Sequence, residues 1–454
     1  MHHLMQHQIN ALSLMDYNDT LGLFISPGGG KTAIALTWLR DHFRDGIIDD
    51  ALVICPASLV DMWYASIDGM IEFEGWTAED VATLQEKVRV RSFQKTYQRV
   101  SKTVNHRDGE SSKATMYRLR DDVDKKWGAV IIDESHSIGA HNSVQTRVAL
   151  KIAQLTKYRY IMTGTPVSGS TKASKEDFSK LYGQFNFLTA GALWKNWSAF
   201  CKVAVVSFDR FYKPVRYNEK YCRDIMKQFA IAARLEDFAD MPGFIENSVP
   251  CKLEAKKIYK DIQSHLLDDY DLNETVSGAS FIRLLQICSG SLKTESETMA
   301  FGTSKDDVLA DILKGTDDKV VIFCNFRASV DRCADVVKKS GKSAVIYDGR
   351  ADKSDWKKFT AGDKDVIICQ YQSGGAGLNL QVSHTMVFFE PTLSALLLDQ
   401  ARCRTYRKGQ SEKCLYYFLY TPATVEARVW KAVREGVEVT NANLAEWAKE
   451  YLVT

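Results

Sequence analysis

Ten short apolar runs, rich in β-branched and aromatic residues and separated by stretches of helical character, limit what this chain can build. Five come early: LGLFI (Leu21 to Ile25), ALVIC (Ala51 to Cys55), VRVRS (Val88 to Ser92), AVIID (Ala129 to Asp133) and YRYIM (Tyr158 to Met162). Five more follow a long interval: VVIFC (Val320 to Cys324), SAVIY (Ser343 to Tyr347), DVIIC (Asp365 to Cys369), TMVFF (Thr385 to Phe389) and LYYFLY (Leu415 to Tyr420). Short runs that are mostly apolar on both faces are strands of parallel sheets covered by helices. The two sets predict an α/β chain with two doubly wound parallel sheets, and 454 residues exceed what one core usually holds. Between the sets, from about Lys172 to Thr316, aromatic and charged residues recur at helical spacing, which predicts helical insertions and a linker. The break is expected near Met241-Pro242-Gly243, giving a first lobe of 1–242 and a second, with its linker helices, of 243–454. The polar stretch Ser101 to Lys126 reads as a loop with a short helix.

Glycines follow the first strand. In Ser26-Pro27-Gly28-Gly29-Gly30-Lys31-Thr32 they separate it from the helical run AIALTWLRDHF. That is the order in which backbone N–H groups cradle phosphates, Lys31 meets the β and γ phosphates, and Thr32 meets Mg²⁺. Ile25 stands where the strict pattern has its first glycine. Strand AVII then delivers Asp133-Glu134-Ser135-His136 to the carboxyl end of its sheet, where ligands bind in such folds. There Asp133 would hold the Mg²⁺ and Glu134 would orient and deprotonate the attacking water. A glycine-rich turn and an acidic pair are each common alone; together, in this order, they point to one ATP site.

Near the other end, QARCRTYRKGQ (Gln400 to Gln410) sets Arg404 and Arg407 on one expected helical face. An arginine inserted at the γ-phosphate is worth about 10³ to 10⁵ in rate. The pair and the P-loop lysine therefore suggest ATP held between two lobes, the second lending arginines to a site built on the first. Taken alone, the run fits a solvated basic helix better.

Composition narrows the classes. A net charge of +2 argues against a basic coat protein and leaves room for a local basic groove. Ten cysteines without a CxxC pair support neither a zinc site nor a disulfide framework and read as reduced core thiols. No 18-residue apolar run and no secretory leader pattern is present, so the reading is a soluble, cytoplasmic chain without membrane partners.

Further segments fall in sequence around these: LMQHQINAL with Gln8, ALVICPASLVDMW (Ala51 to Trp63), Ser92-Phe93, MTGTP (Met162 to Pro166), EDFSKLYGQFNFL, Arg234 with Met241-Pro242, LLQICSG (Leu284 to Gly290), VIFCNF, SGGAGLNL (Ser373 to Leu380) and TVEAR (Thr424 to Arg428). In this order they resemble the motifs of the Swi/Snf-type ATPases of helicase superfamily two, over nearly the whole chain. The resemblance implies two RecA-like lobes with ATP and Mg²⁺ as cofactors. It makes Gln8 an adenine-reading glutamine and groups it around the nucleotide with Gly28, Gly29, Gly30, Lys31, Thr32, Arg404 and Arg407. Thr163 becomes a relay between Asp133 and the DNA edge of the sheet. The resemblance also implies contacts to the phosphates of one DNA strand at Ser58, Ser92, Asn325, Ser373, Gly374 and Gly375, with Arg350 and Lys353 adding basic contacts.

The chain departs from the family pattern at four places. DESH replaces DEAH, Ser168 replaces the asparagine after GTP, FFEP (ending Phe389-Glu390-Pro391) replaces FDP, and Cys403 replaces an aspartate before Arg404. The last change predicts weaker local anchoring for Arg404 than for Arg407. These variants are similar to HARP-like annealing helicases, and compact phage-encoded branch-migrating helicases share the format; a phage origin would make the compartment the host cytoplasm. The implied function is an ATP-dependent DNA translocase acting on double-stranded, forked or branched DNA, with replication or recombination proteins as partners. Two alternatives stand beside it: an RNA helicase, disfavoured by TVEAR and by RKGQ in place of a terminal GR, and an ATP-gated clamp that holds DNA without travelling.

Overall fold

Both sets of apolar runs become parallel sheets, one in each of the two units into which the chain divides, Met1–Ala239 and Asp240–Thr454. The computed structural model describes all residues except 1, 106–110, 168–175, 211, 274–280, 295–296, 351, 353, 375–377, 441–442, 445 and 448–454. Unit 1 contains β1 (Thr20–Ile25), β2 (Ala51–Cys55), β3 (Val88–Ser92), β4 (Trp127–Asp133), β5 (Thr156–Met162) and β6 (Ala230–Ala233), in spatial order β6-β1-β5-β4-β2-β3. Unit 2 contains β7 (Phe244–Pro250), β8 (Val320–Cys324), β9 (Ala344–Tyr347), β10 (Val366–Gln370), β11 (Thr385–Phe388) and β12 (Cys414–Tyr420), in order β7-β12-β11-β8-β10-β9. These are the two doubly wound sheets expected from the sequence.

Burial explains why the inner strands are legible. β2 and β8 are buried at every position, as strands covered by helices on both faces must be. The edge strands β6 and β7 escape the sequence reading. β6 is four small or β-branched residues, and β7 leaves Phe244 and Ile245 exposed while carrying Glu246 and Asn247 within it. The stretch read as a loop with a short helix is corrected: Tyr97–Asn105 and Ser111–Leu119 pair antiparallel as a hairpin. Neither strand carries the one-sided apolar alternation that marks a half-buried sheet, so periodicity gave no signal. The expected helical interval holds helices at Trp197–Ala204, Glu219–Phe229, Lys256–Asn273 and Ile282–Cys288, along with two short antiparallel strand pairs.

Of the helices that bear on the sites, α1 (Gln6–Tyr17), α2 (Lys31–Arg44) and α3 (Leu181–Leu188) belong to unit 1. All eight residues of α3 are buried, Gln184 and Asn186 included, the mark of a core helix. It reaches its seat through Gly183, where a Cβ would stand 1.7 Å from the Ile138 carbonyl oxygen. Only glycine allows that approach. All ten cysteines are free; eight are buried, and Cys201 and Cys403 are half-buried. Among the described residues no helix is long and apolar enough to cross a membrane.

Unit 2 adds α4 (Ser304–Lys314), α5 (Arg327–Lys339), α6 (Ala395–Arg402) and α7 (Val425–Arg434). Lys305 on α4 and Glu426 on α7 form an ion pair with both side chains fully buried, Nζ to Oε1 2.5 Å. Lys305 also donates to the Phe389 carbonyl at 3.0 Å, and Glu426 accepts the Thr421 N–H at 2.7 Å. The glutamate of TVEAR therefore closes a buried network joining two helices to the end of β11. Beside it Glu390, also buried, accepts the N–H groups of Asn325 and Phe326 and the Ser329 hydroxyl at the start of α5. Burial raises its carboxyl above the usual range against the opposing pull of these donors.

Removing one member of a buried pair leaves an uncompensated charge and costs about 3–5 kcal/mol. Lys305→Met is expected to lower unfolding free energy by that amount in urea. Lys305→Met/Glu426→Gln, which keeps an acceptor for Thr421, should recover most of it.

Candidate functional site

Two of the chemistry-bearing segments of unit 1 share a helix start. β1 ends at Ile25 and α2 begins at Lys31, with a five-residue turn between. Gly28 and Gly30 have φ of +82° and +75°, which glycine adopts without steric cost. Gly30 caps α2, and a Cβ there would stand 2.0 Å from Gln8 Nε2. Lys31 folds across the loop and donates to the carbonyls of Ile25 (2.7 Å) and Ser26 (3.4 Å). Thr32, one residue into α2, is half-buried. Gln8 is buried, donating to the Gly29 carbonyl at 3.3 Å and accepting the Met5 N–H at 2.7 Å. Both ends of its amide are thus engaged on α1 and the glycine loop.

The DESH turn stands at the end of β4. Asp133 is buried, accepting from Trp63 Nε1 at 3.0 Å and from the Glu134 N–H at 2.9 Å. Burial, helped by the neighbouring Glu134 and opposed by the Lys31 charge, pushes its carboxyl up to about 6. The Lys31 charge thus acts on Asp133, so the glycine loop and the DESH turn form one electrostatic site. Glu134 takes the left-handed conformation, φ +50° and ψ +51°, costing about 1–3 kcal/mol in a non-glycine residue. Its carboxylate lies 3.3 Å from His136 Nδ1, and that nitrogen is 3.1 Å from the buried Thr163 hydroxyl. Thr163 thus connects to the acidic turn through His136. The TGTP loop also touches the glycine loop, since a Cβ on Gly164 would meet Pro27 Cδ at 2.8 Å. A second tie runs from the buried Ser135 hydroxyl to Gln184 Oε1 (2.8 Å), and from Gln184 Nε2 to the Pro166 carbonyl (2.8 Å). The serine of DESH, a departure from the family pattern, is therefore a hydrogen-bonding member of the site.

This donor set suits a triphosphate and a hard cation. Left-handed glycines open the loop, a lysine closes it, and a buried carboxyl lies where a cation would relieve the cost of its ionisation. Among the described residues no three His, Cys, Asp or Glu side chains cluster as metal ligands.

In unit 2 the arginine run is corrected in one respect. α6 stops at Arg402, so Arg404 and Arg407 sit in the turns beyond it and share no helical face. The Arg404 N–H reaches back three residues to Ala401 and the Arg407 N–H only two to Thr405, which breaks the helical ladder. The two guanidiniums nevertheless converge, each donating to the Leu378 carbonyl, at 3.3 and 3.4 Å. Arg404 also donates to the Gln400 carbonyl at 2.9 Å and is the more buried of the two. Backbone carbonyls thus serve where Cys403 replaces an acid. Burial, then the Arg404 charge, lowers the Arg407 guanidinium below its ordinary value.

The residues expected at DNA fare differently. Ser58 is exposed just beyond β2, and Asn325 and Ser373 are half-buried. Ser92 is buried at the end of β3. Arg350 is engaged by Asp331 (2.7 Å) and Asp348 (2.6 Å). Gly374 ends a one-turn helix; Gly375, Lys353 and Ser168 lie outside the described residues. The sequence reading missed Trp63, Gln184 and His136 as site members. Trp63 and Gln184 stand inside the segments quoted above, and His136 ends DESH.

Comparison with known proteins gives the family descriptions "SNF2-related domain" for residues 7–300 and "Helicase conserved C-terminal domain" for residues 304–409. The chain is 24% identical to the ATP-dependent helicase brm of Drosophila melanogaster, over 95% of this chain and 28% of that protein. It is 22% identical to the uncharacterized ATP-dependent helicase YqhH of Bacillus subtilis (91% and 74%) and to the DNA repair protein rhp54 of Schizosaccharomyces pombe (89% and 53%). It therefore spans about a quarter of brm and about half of rhp54. A solved structure of the Sulfolobus solfataricus SWI2/SNF2 ATPase core in complex with dsDNA aligns over 98% of this chain and 94% of that one, at 18% identity and a TM-score of 0.41.

Asp133 carries a pH signature. Its folded value of about 6 exceeds the ordinary 3.8, so its contribution to stability is complete below about pH 4 and is lost as pH rises through 6. Asp133→Asn, neutral throughout, removes that dependence. Without nucleotide or Mg²⁺, denaturant titrations should show the variant gaining on the parent between pH 4 and 7. A difference that stays constant over that range would rule out the raised carboxyl.

Proposed function

Because this chain belongs to the SNF2-related family, we propose that it is an ATP-driven DNA translocase acting on double-stranded or branched DNA, remodelling forks or migrating branches. One observation carries the reading: the glycine loop with Lys31, the acidic pair Asp133-Glu134 and the TGTP loop form a single connected site in unit 1. ATP is the substrate that fits it. In the proposed chemistry the loop N–H groups and Lys31 hold the phosphates, and Lys31 gives up its carbonyl contacts to do so. Mg²⁺, when bound by Thr32 and Asp133, supplies positive charge to the phosphate oxygens. Glu134 accepts the proton of a water that forms a bond to the γ-phosphorus as the bond to ADP breaks. His136 stabilises the Glu134 carboxylate and carries its state to Thr163. Arg404 and Arg407 are assigned to the charge that phosphoryl transfer develops.

The repair protein among the relatives favours DNA over RNA, and replication or recombination proteins are the partners this reading implies. Ser58, Asn325 and Ser373 are proposed as DNA backbone contacts, with the glycines Gly374 and Gly375. Ser92 and Arg350 would contribute only after leaving their present partners or burial.

Glu134→Gln should keep ATP bound while turnover falls about 10²- to 10⁴-fold, the usual worth of a general base. Filter binding beside a phosphate-release assay separates the two effects. The wider reading is tested by ATPase rates with single-stranded, duplex, forked and four-way-junction DNA and with RNA, together with displacement of a triplex third strand. Duplex or branched DNA should accelerate turnover and the third strand should be evicted. Stimulation by RNA alone points to an RNA helicase, and binding without eviction to a static clamp; either outcome defeats the proposal.

A further inference from the structure

The segment by which the chain leaves unit 1 is fastened to the glycine loop. The Ser26 N–H donates to the Ala233 carbonyl at 2.9 Å, extending the β1–β6 ladder one step into the loop. After the short turn Leu235–Asp237, Phe238 returns against the same loop from outside. Its ring Cζ lies 2.9 Å from where a Cβ on Gly29 would stand, so any larger residue there would have to push the ring aside. The ring stacks on His7, centroids 4.1 Å apart and planes at 22°. His7 Nε2 is in turn 2.8 Å from the Gly29 carbonyl, which Gln8 also approaches. The Gly29 peptide is therefore gripped by α1 on one side and by the exit segment on the other. Asp240, two residues past Phe238, begins unit 2.

We propose that His7 and Phe238 are positioning residues for the phosphate loop, and that through their stack the loop's occupancy is transmitted to the segment entering unit 2. This rests on the ATP-binding reading above. Phosphates draw loop N–H groups toward themselves, and turning the Gly29 peptide moves the carbonyl that His7 holds. A stacked ring pair follows as a body, since sliding it apart exposes apolar surface. The exit segment thus has one arrangement for an empty loop and another for a filled one, the differential contact that coupling requires.

Hydrogen exchange on the full chain, with and without a non-hydrolysable ATP analogue and Mg²⁺, tests this. In the parent, nucleotide should slow exchange over residues 26–32 and change it over residues 234–242 by at least about fivefold, the lower end of common coupling strengths. Phe238→Ala should keep the first effect and lose the second, while Phe238→Tyr keeps both. His7→Gln, which removes the ring but retains a donor for Gly29, should behave as Phe238→Ala and covers the case in which that variant fails to fold. ATP KM should rise in both ring-deletion variants and return toward the parent value in Phe238→Tyr. Protection at 26–32 without change at 234–242 in the parent overturns the proposal, as does an unchanged response in both ring-deletion variants. Absence of protection at 26–32 in the parent overturns the ATP-binding reading itself.

Discussion

Parallel pairing is the constraint from which the rest of the molecule follows. Every strand pair described in the two large sheets runs parallel, so within each sheet all strands end at one edge. In unit 1, β1, β5 and β4 are immediate neighbours, which brings the glycine loop, the TGTP loop and the DESH turn together at that edge. No side-chain contact is needed to gather segments so far apart in the chain. The contacts that do form, Pro27 against Gly164 and His136 between Glu134 and Thr163, adjust loops the sheet has already made adjacent.

The same constraint decides what could be read from the residues alone. A strand buried on both faces must be apolar along its length, so ALVIC and VVIFC announced themselves with correct ends. Edge strands are under no such pressure, and β6 and β7 passed unnoticed. The hairpin at Tyr97–Asn105 and Ser111–Leu119 carries no sustained apolar alternation in its sequence and left no period to detect. Within the site, residues whose type is dictated by chemistry were legible: glycines, a lysine, an acidic pair. Residues that act through geometry were not. Nothing in Trp63 says that its indole holds Asp133, and nothing in Lys305 says that it meets Glu426 across 121 positions. The premise behind the arginine pair did not hold, since convergence on Leu378 replaces a helical face that the turn after Arg402 does not provide.

Three of the four departures from the family pattern lie in the described residues, and they share a physical theme, a polar group bonded inside the protein. Ser135 gains a hydroxyl that Gln184 accepts, and Gln184 passes the connection to Pro166. Glu390 enters a fully buried position because the N-terminus of α5 supplies donors for its oxygens. Where Cys403 withdraws an acid, carbonyls at Gln400 and Leu378 take the Arg404 guanidinium. In each case the polar group concerned, on Ser135, Glu390 or Arg404, is satisfied locally, as an unpaired polar group in these interiors would cost more than the bond it makes.

The two strands that flank the junction between the units, β6 and β7, are each the outermost strand of their sheet. Any tension along the junction therefore enters each sheet at its rim. In unit 1 it falls on a ladder of four residue pairs, Gly22 with Ala230 through Ile25 with Ala233. In unit 2 it falls on seven, Phe244 with Cys414 through Pro250 with Tyr420. The shorter seat is the one on β1, the strand that carries the glycine loop. The strand beside the junction in unit 1 is thus seated on the strand from which the glycine loop springs, so the junction and the loop share one support.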